Sequence, residues 1–135
     1  MPAGYSGTPL ARKLGIRPGD TVALVAAPEG FESELKELPD GVQLRRRAGA
    51  KPEVVVLFTT KANDLERRFA PLAKSVWPDG SLWIAWPKRS SGVATDLDEN
   101  RLRDIGLPHG LVDNKVCAVN DVWSALRFVW RKENR

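Results

Sequence analysis

Cysteine, histidine, methionine and tyrosine each occur once in this chain of 135 residues. A lone Cys117 excludes an internal disulfide and any cysteine-rich metal site, and no metal is expected. Long hydrophobic runs are missing too. The longest, Val22 to Ala27 and Val54 to Phe58, fall far short of a membrane span. The polar start MPAGYSG lacks the apolar stretch of a signal peptide, so the expectation is a cytoplasmic protein with no membrane partner. Neither sign of charge dominates. Twenty-one basic and 17 acidic side chains leave a net charge of +4, spread evenly over both halves. A nucleic-acid binder concentrates its positive charge, so nucleic acid is not favoured as a partner. Arg45, Arg46 and Arg47 form the one basic run. They read first as a solvated strand end and second as an anion or phosphate site. There is no repeat and no low-complexity tract. What remains is 42% apolar and 28% charged, ordinary for one globular domain over residues 1–135.

The punctuation of the chain is clear. Thr8 suits a helix N-cap, Pro9 a first helical position and Gly15 a helix end, which predicts a short helix over 8–14. After the turn RPGD, TVALVAA (21–27) is an apolar run of strand length, of the kind buried on both faces of a parallel sheet. Phe31, Leu35 and Leu38 fall at helical spacing and predict a helix over 28–38, ended by Pro39 and Gly41. VQLRRR (42–47) reads as a short strand, and EVVVLFT (53–59) as the clearest one. Leu65, Phe69, Leu72, Ala73 and Val76 form a helical stripe over 62–76. Pro71 inside it predicts a kink or the start of a second helical piece. SLWIAW (81–86) is a strand, KRSSGVATD (88–96) a polar loop, and a helix is expected from near Thr95. LVDNKVCAV (111–119) and VWSALRFVWRK (122–132) flank Asn120-Asp121 as a hairpin.

Strands alternating with helices mean α/β. The expected architecture is a Rossmann-like three-layer fold with a largely parallel sheet of about six strands and a C-terminal antiparallel hairpin. This layout resembles the sheet of the S-adenosylmethionine methyltransferases, cut short. Trp77-Pro78-Asp79-Gly80-Ser81-Leu82 looks like the turn and strand that in those enzymes often reads L-x-P-G-G-x-L. Across nearly the whole chain, GYSGTPLARKLGI (4–16), ALVAAPEGF (23–31), WPKRSSGVATDL (86–97), GLVDNKVCAV (110–119) and WSALRFVWRK (123–132) resemble a family of small bacterial proteins of unknown function. That second resemblance implies no reaction.

The methyltransferase resemblance sets two requirements. The first strand must deliver a glycine-rich turn, so that the backbone can approach a cofactor. Ala26-Ala27-Pro28-Glu29-Gly30-Phe31 has one glycine, a proline without an N–H, and a carboxylate that would repel a pyrophosphate. An acid is also wanted at the end of the second strand, where this chain has Arg45 to Arg47. Both departures point to a non-catalytic binding or regulatory module without a cofactor. The atypical methyltransferase is the alternative, and an RNA-associated accessory protein the third reading.

The candidate ligand-binding residues gather at strand ends: Glu29, Gly30 and Phe31 after the first strand, Thr60 and Lys61 beside Thr59 after the third, and Lys88, Arg89, Ser90, Ser91 and Thr95 in the polar loop. They would take a protein partner or a small anionic ligand, and each reads equally as a turn or cap residue. A Phe31 filling the groove above the sheet would bar a nucleoside. Tyr5, Ser6 and Thr8 are candidates to cover the cleft. His109 reads as a surface turn residue and Cys117 as a small buried hydrophobe, with Lys115 on its face. Asp113 and Lys115 are expected to pair. Trp77, Trp83, Trp86, Trp123 and Trp130 read as core or interface before they read as stacking platforms for single-stranded nucleic acid, and the tryptophan-rich hairpin is a candidate edge for self-association.

Overall fold

A computed structural model of the chain describes residues 8–135. Its centre is one six-stranded sheet: β1 (Thr21–Val25), β2 (Gln43–Arg45), β3 (Val54–Phe58), β4 (Ser81–Pro87), β5 (Leu111–Ala118) and β6 (Trp123–Trp130). The spatial order is β2-β1-β3-β4-β6-β5. The first four strands in that order are mutually parallel, and β6 runs antiparallel to both β4 and β5. The expected α/β sheet with its C-terminal hairpin is therefore present. In the hairpin turn, the Asn120 side-chain oxygen accepts the N–H groups of Val122 and Trp123, each at 2.9 Å. Such local bonding is why asparagine favours turns.

Alternation along each central strand sends side chains to opposite faces. On the first face, Val55, Leu57, Leu82, Ile84, Leu126 and Phe128 pack beneath α2 (Ala62–Ser75) and α3 (Glu99–Gly106). Leu65, Phe69 and Ala73 of α2 repeat every four residues and are buried, as a helix lying on a sheet requires. Gly106 lets α3 approach closely. A Cβ there would lie 2.6 Å from a Phe128 ring carbon. On the second face, Val22, Leu24, Val54, Val56, Phe58 and Trp83 lie beneath Leu10, Leu14, Ile16, Phe31 and Leu35. Among the described residues, one short α-helix, α1 (Leu10–Lys13), covers that face together with a 3-10 turn and loops.

Several local expectations are corrected. Pro9, not Thr8, is the N-cap of α1. β1 stops at Val25, because Ala26 adopts φ +57°. The helix expected over 28–38 is a single 3-10 turn, Phe31–Glu34. Pro28 and Gly30 precede it, and Glu37 at φ +59° reverses the chain before Pro39. Phe31 and Leu35 are still buried, so the apolar spacing is satisfied without an α-helix. α2 is continuous through the exposed Pro71, and no second helical piece starts there. α3 begins four residues past Thr95, capped by Asp98, whose carboxylate accepts the Arg101 N–H at 2.8 Å. Asp113 pairs with Arg103 at 2.9 Å rather than with Lys115, since an irregularity between Asp113 and Lys115 breaks the strand alternation. Tyr5 and Ser6 lie outside the described residues. Among those described, no helix is long and apolar enough to cross a membrane.

Candidate functional site

The chain leaves β1 toward β2 on one side, and β3 then pairs on the other side of β1. In open parallel sheets the crevice outside the carboxyl ends at such a reversal is where ligands bind. Two hollows lie there, and Ala26 borders both. The hollow toward β3, about 640 Å³, is lined by Ala26, Phe58, Thr59, Thr60, Lys61, Asn63, Asp64, Arg67 and Trp123. The hollow toward β2, about 440 Å³, is lined by Leu24, Ala26, Ala27, Pro28, Glu29, Gly30, Glu32 and Arg46. Ala26 holds a left-handed conformation that a residue with a Cβ seldom adopts, and such positions concentrate at functional turns.

Phe31 does not fill the crevice. It is 1% exposed and packs edge-on against Phe58 at 4.8 Å, and Phe58 packs on Trp123 at 5.1 Å. This row of three rings closes the second face below the carboxyl edge and leaves both hollows open. Gly30 adopts φ +78° and caps the 3-10 turn, while Glu29 is exposed.

The far wall of the hollow toward β3 is built by the end of β3 and the start of α2, with the loop after β4 fastened behind it. Thr59 is buried, and its hydroxyl donates to the Asp64 carboxylate at 2.8 Å. Arg67 and Arg68 reach the other oxygen of Asp64 at 2.8 and 2.9 Å. Burial pushes the Asp64 carboxyl up, but the hydrogen bonds from Thr59, Arg68 and Arg67, with the Arg68 charge, outweigh it and hold the group below the ordinary carboxylate value. The Thr95 hydroxyl donates to the Thr60 carbonyl at 2.6 Å, and Asp96 accepts the Ala62 N–H at 2.8 Å. The polar loop is thereby fastened to the start of α2. Ser91 turns inward, its hydroxyl on the Lys88 carbonyl at 2.6 Å, and the Lys88 N–H bonds the Val122 carbonyl at 2.7 Å.

The structure thus gathers Glu29 and Gly30 in one hollow and Thr60 and Lys61 in the other. Thr95 and Ser91 are occupied as brackets of their loop, and none of Lys88, Arg89, Ser90 or Ser91 lines either hollow. The sequence reading missed Glu32, Asp64 and Arg67, and it singled out Arg46 and Trp123 without placing them at this crevice. The Asp64 cluster carried a signal, since an acid three and four residues before two arginines at a helix start is a recognisable pairing pattern. Trp123 carried none, because its place beside Phe58 follows from the sheet order.

The remaining singled-out residues are structural. His109 is exposed and stacks on Phe69 at 5.0 Å. Burial first raises the Cys117 thiol pKa, against the lowering charges of Lys13 and Lys115. Trp83 is fully buried with its indole N–H on the Leu14 carbonyl, Trp130 donates to the Ala73 carbonyl, and the half-exposed Trp77 to that of Asn134.

No protein-family model matches the chain, and no curated protein matches it in sequence. Solved structures do. The magnesium protoporphyrin IX methyltransferase ChlM of Synechocystis PCC 6803, solved with bound SAH, superposes with a TM-score of 0.58 at 14% identity, over 84% of this chain and 75% of that one. A TehB-like SAM-dependent methyltransferase from Corynebacterium glutamicum gives 0.57 at 10% identity, over 96% and 91%. The fibrillarin of Aeropyrum pernix, with natively bound S-adenosyl-L-methionine, gives 0.57 at 12%, over 93% and 70%. The fold is Rossmann-like and methyltransferase-like. At such identities the likeness is one of architecture, and function does not travel with it.

Proposed function

We propose that the carboxyl-edge crevice binds an adenosyl ligand and that the protein is an atypical S-adenosylmethionine-dependent methyltransferase. The observation that carries this reading is the open crevice on both sides of Ala26, at the strand-order reversal of a sheet shared with chains solved holding SAH or S-adenosyl-L-methionine. The residues present fit such a group. Leu24, Ala26, Phe58 and Trp123 offer apolar lining. Glu29 and Glu32 offer carboxylates for ribose hydroxyls on the side where β2 itself runs into Arg46. Lys61, with Thr59 and Thr60, offers a cation and polar groups for an amino-acid carboxylate. When bound, the ligand supplies a methyl group already activated on a sulfonium. The protein's part is then to orient two reactants rather than to move protons, and orientation is what a fixed crevice provides.

Isothermal titration with S-adenosylmethionine and S-adenosylhomocysteine tests the reading. Saturable binding at about micromolar Kd, lost on Thr60→Trp while the fold persists by circular dichroism, is expected. No heat from either compound at millimolar concentration (about a thousandfold weaker) would overturn it.

A second reading, the non-catalytic binding module, has its own support. The turn after β1 carries one glycine and one proline, no α-helix follows it to point backbone N–H groups at a ligand, and Arg46 stands where an acid is wanted. On that reading neither nucleoside binds, and the crevice serves a protein partner or a small anion.

A further inference from the structure

A third hollow opens on the second face of the sheet, toward the amino end of β1 and away from the crevice. Its volume is about 780 Å³, within the range of small-molecule sites. Arg12, Lys13, Arg17, Lys115 and Arg127 line it against one carboxylate, Glu37. No residue borders both this hollow and the crevice.

Arg127 is the anomaly. It stands on β6 directly across from the buried Trp83 on β4, and its Nε is buried with no hydrogen-bond partner. Among the described residues it is the one buried side-chain nitrogen or oxygen left so. Burial first, and the nearby Arg17 charge second, press its pKa below the usual guanidinium value. The acids nearby do not answer it. Asp20, Glu53 and Asp79 border an adjoining hollow that Arg17 and Arg127 also line. Asp20 accepts the backbone N–H of Arg17 at 2.9 Å, and Glu53 that of Thr21 at 2.6 Å. None of the three forms an ion pair with either arginine among the described residues. Lys13 is engaged with the Ala118 carbonyl, and the cations that give the hollow its charge are Arg12, Arg17, Lys115 and Arg127.

Cations crowded around a desolvated donor oppose one another and disfavour the folded chain unless an anion completes the set. Guanidinium groups present forked N–H pairs that match the oxygens of a phosphate. Several cations facing one acid call for more than a single negative charge, and a phosphate group carries that charge compactly. We propose that this hollow binds a small phosphorylated ligand with at least two negative charges, held chiefly by Arg127 and Arg17.

Inorganic pyrophosphate is the probe, titrated calorimetrically at low ionic strength, about 20 mM. Saturable one-to-one binding that weakens with added salt is expected, with a matching rise in Tm. Arg127→Met should weaken it by about tenfold or more, yet leave the ligand-free Tm equal or higher, because a half-buried cation crowded by Arg17 has gone. Arg17→Ala, on an exposed turn, should weaken binding with the ligand-free Tm unchanged, which separates recognition from folding. Lys88→Ala should leave the affinity as it is. Absence of saturable binding to the unmodified protein, or an affinity in both arginine variants unchanged from that of the unmodified protein, would overturn the proposal. Citrate binding as tightly as pyrophosphate would overturn the assignment to phosphate. These outcomes are independent of S-adenosylmethionine binding in the crevice.

Discussion

The two faces of the sheet are closed by different kinds of chain. One carries α2 and α3, amphipathic helices whose buried residues recur at helical spacing. The other carries a four-residue helix, one 3-10 turn and connecting loops. Both faces are nonetheless sealed: Phe69 on the first and Phe31 on the second are almost fully buried, each in edge contact with a neighbouring ring. The contrast shows that burial of the sheet is what the chain must achieve, and that regular helix is only one way of achieving it. The hollows draw on both sides: the irregular segments supply Ala26 to Gly30 and Glu32 at the crevice and Arg17 at the basic hollow, while the start of α2 on the helical face supplies Asn63, Asp64 and Arg67 to the crevice.

The comparison is sharpened most by removing the central ring from each face. Phe69→Ala should cost about 4 kcal/mol, the range for deleting a buried phenylalanine from a rigid core, because α2 is held by Phe128 and Gly106 and cannot collapse into the void. Phe31→Ala should cost less, about 3 kcal/mol, since a 3-10 turn between loops relaxes more readily. Urea unfolding of both variants checks the order, and an equal or reversed ranking would break the contrast. Next in size is the helix cap. Asp98→Ala removes the bond to the Arg101 N–H and should cost about 1 kcal/mol, read as a lower Tm; no change would mean that α3 is held by packing alone.

The smallest effect belongs to acid. Asp64 titrates below its unfolded value of 3.8 in the folded protein. Below that value the unfolded chain binds more protons, so stability rises with pH there. Its contribution is full above pH 3.8 and fades as pH falls through the lower folded value. Asp64→Asn should flatten the acid limb of the stability profile and leave its neutral limb parallel to that of the unmodified protein. An unchanged acid slope would show that the cluster at the crevice wall is not formed in solution.

Legibility followed the same division. The strands at 54–58 and 81–87 were plain because β-branched and apolar residues run without interruption. The α2 stripe was plain because Leu65, Phe69 and Ala73 repeat at four. Residues 28–38 misled for a physical reason: Phe31, Leu35 and Leu38 carry helical spacing, but Pro28, Gly30 and the reversed Glu37 leave too short a stretch to nucleate a helix, and the sheet face accepts the apolar surface of Phe31 and Leu35 without one. At the crevice, Glu29, Gly30, Thr60 and Lys61 were reachable because strand ends are local features. Lys88 to Ser91 were placed at the same edge by the same rule, yet their loop folds toward the hairpin at Val122 instead.

From sequence alone came the elements, their alternation, the antiparallel hairpin and the poverty of glycine after β1, since each depends on residues close together in the chain. Tertiary structure alone decided the strand order that puts Ala26 at a reversal, the ring row from Phe31 to Trp123, and the meeting of Arg127 with Arg17. Those depend on which distant segments share a wall, and a local pattern of apolar and polar residues carries no record of its partner.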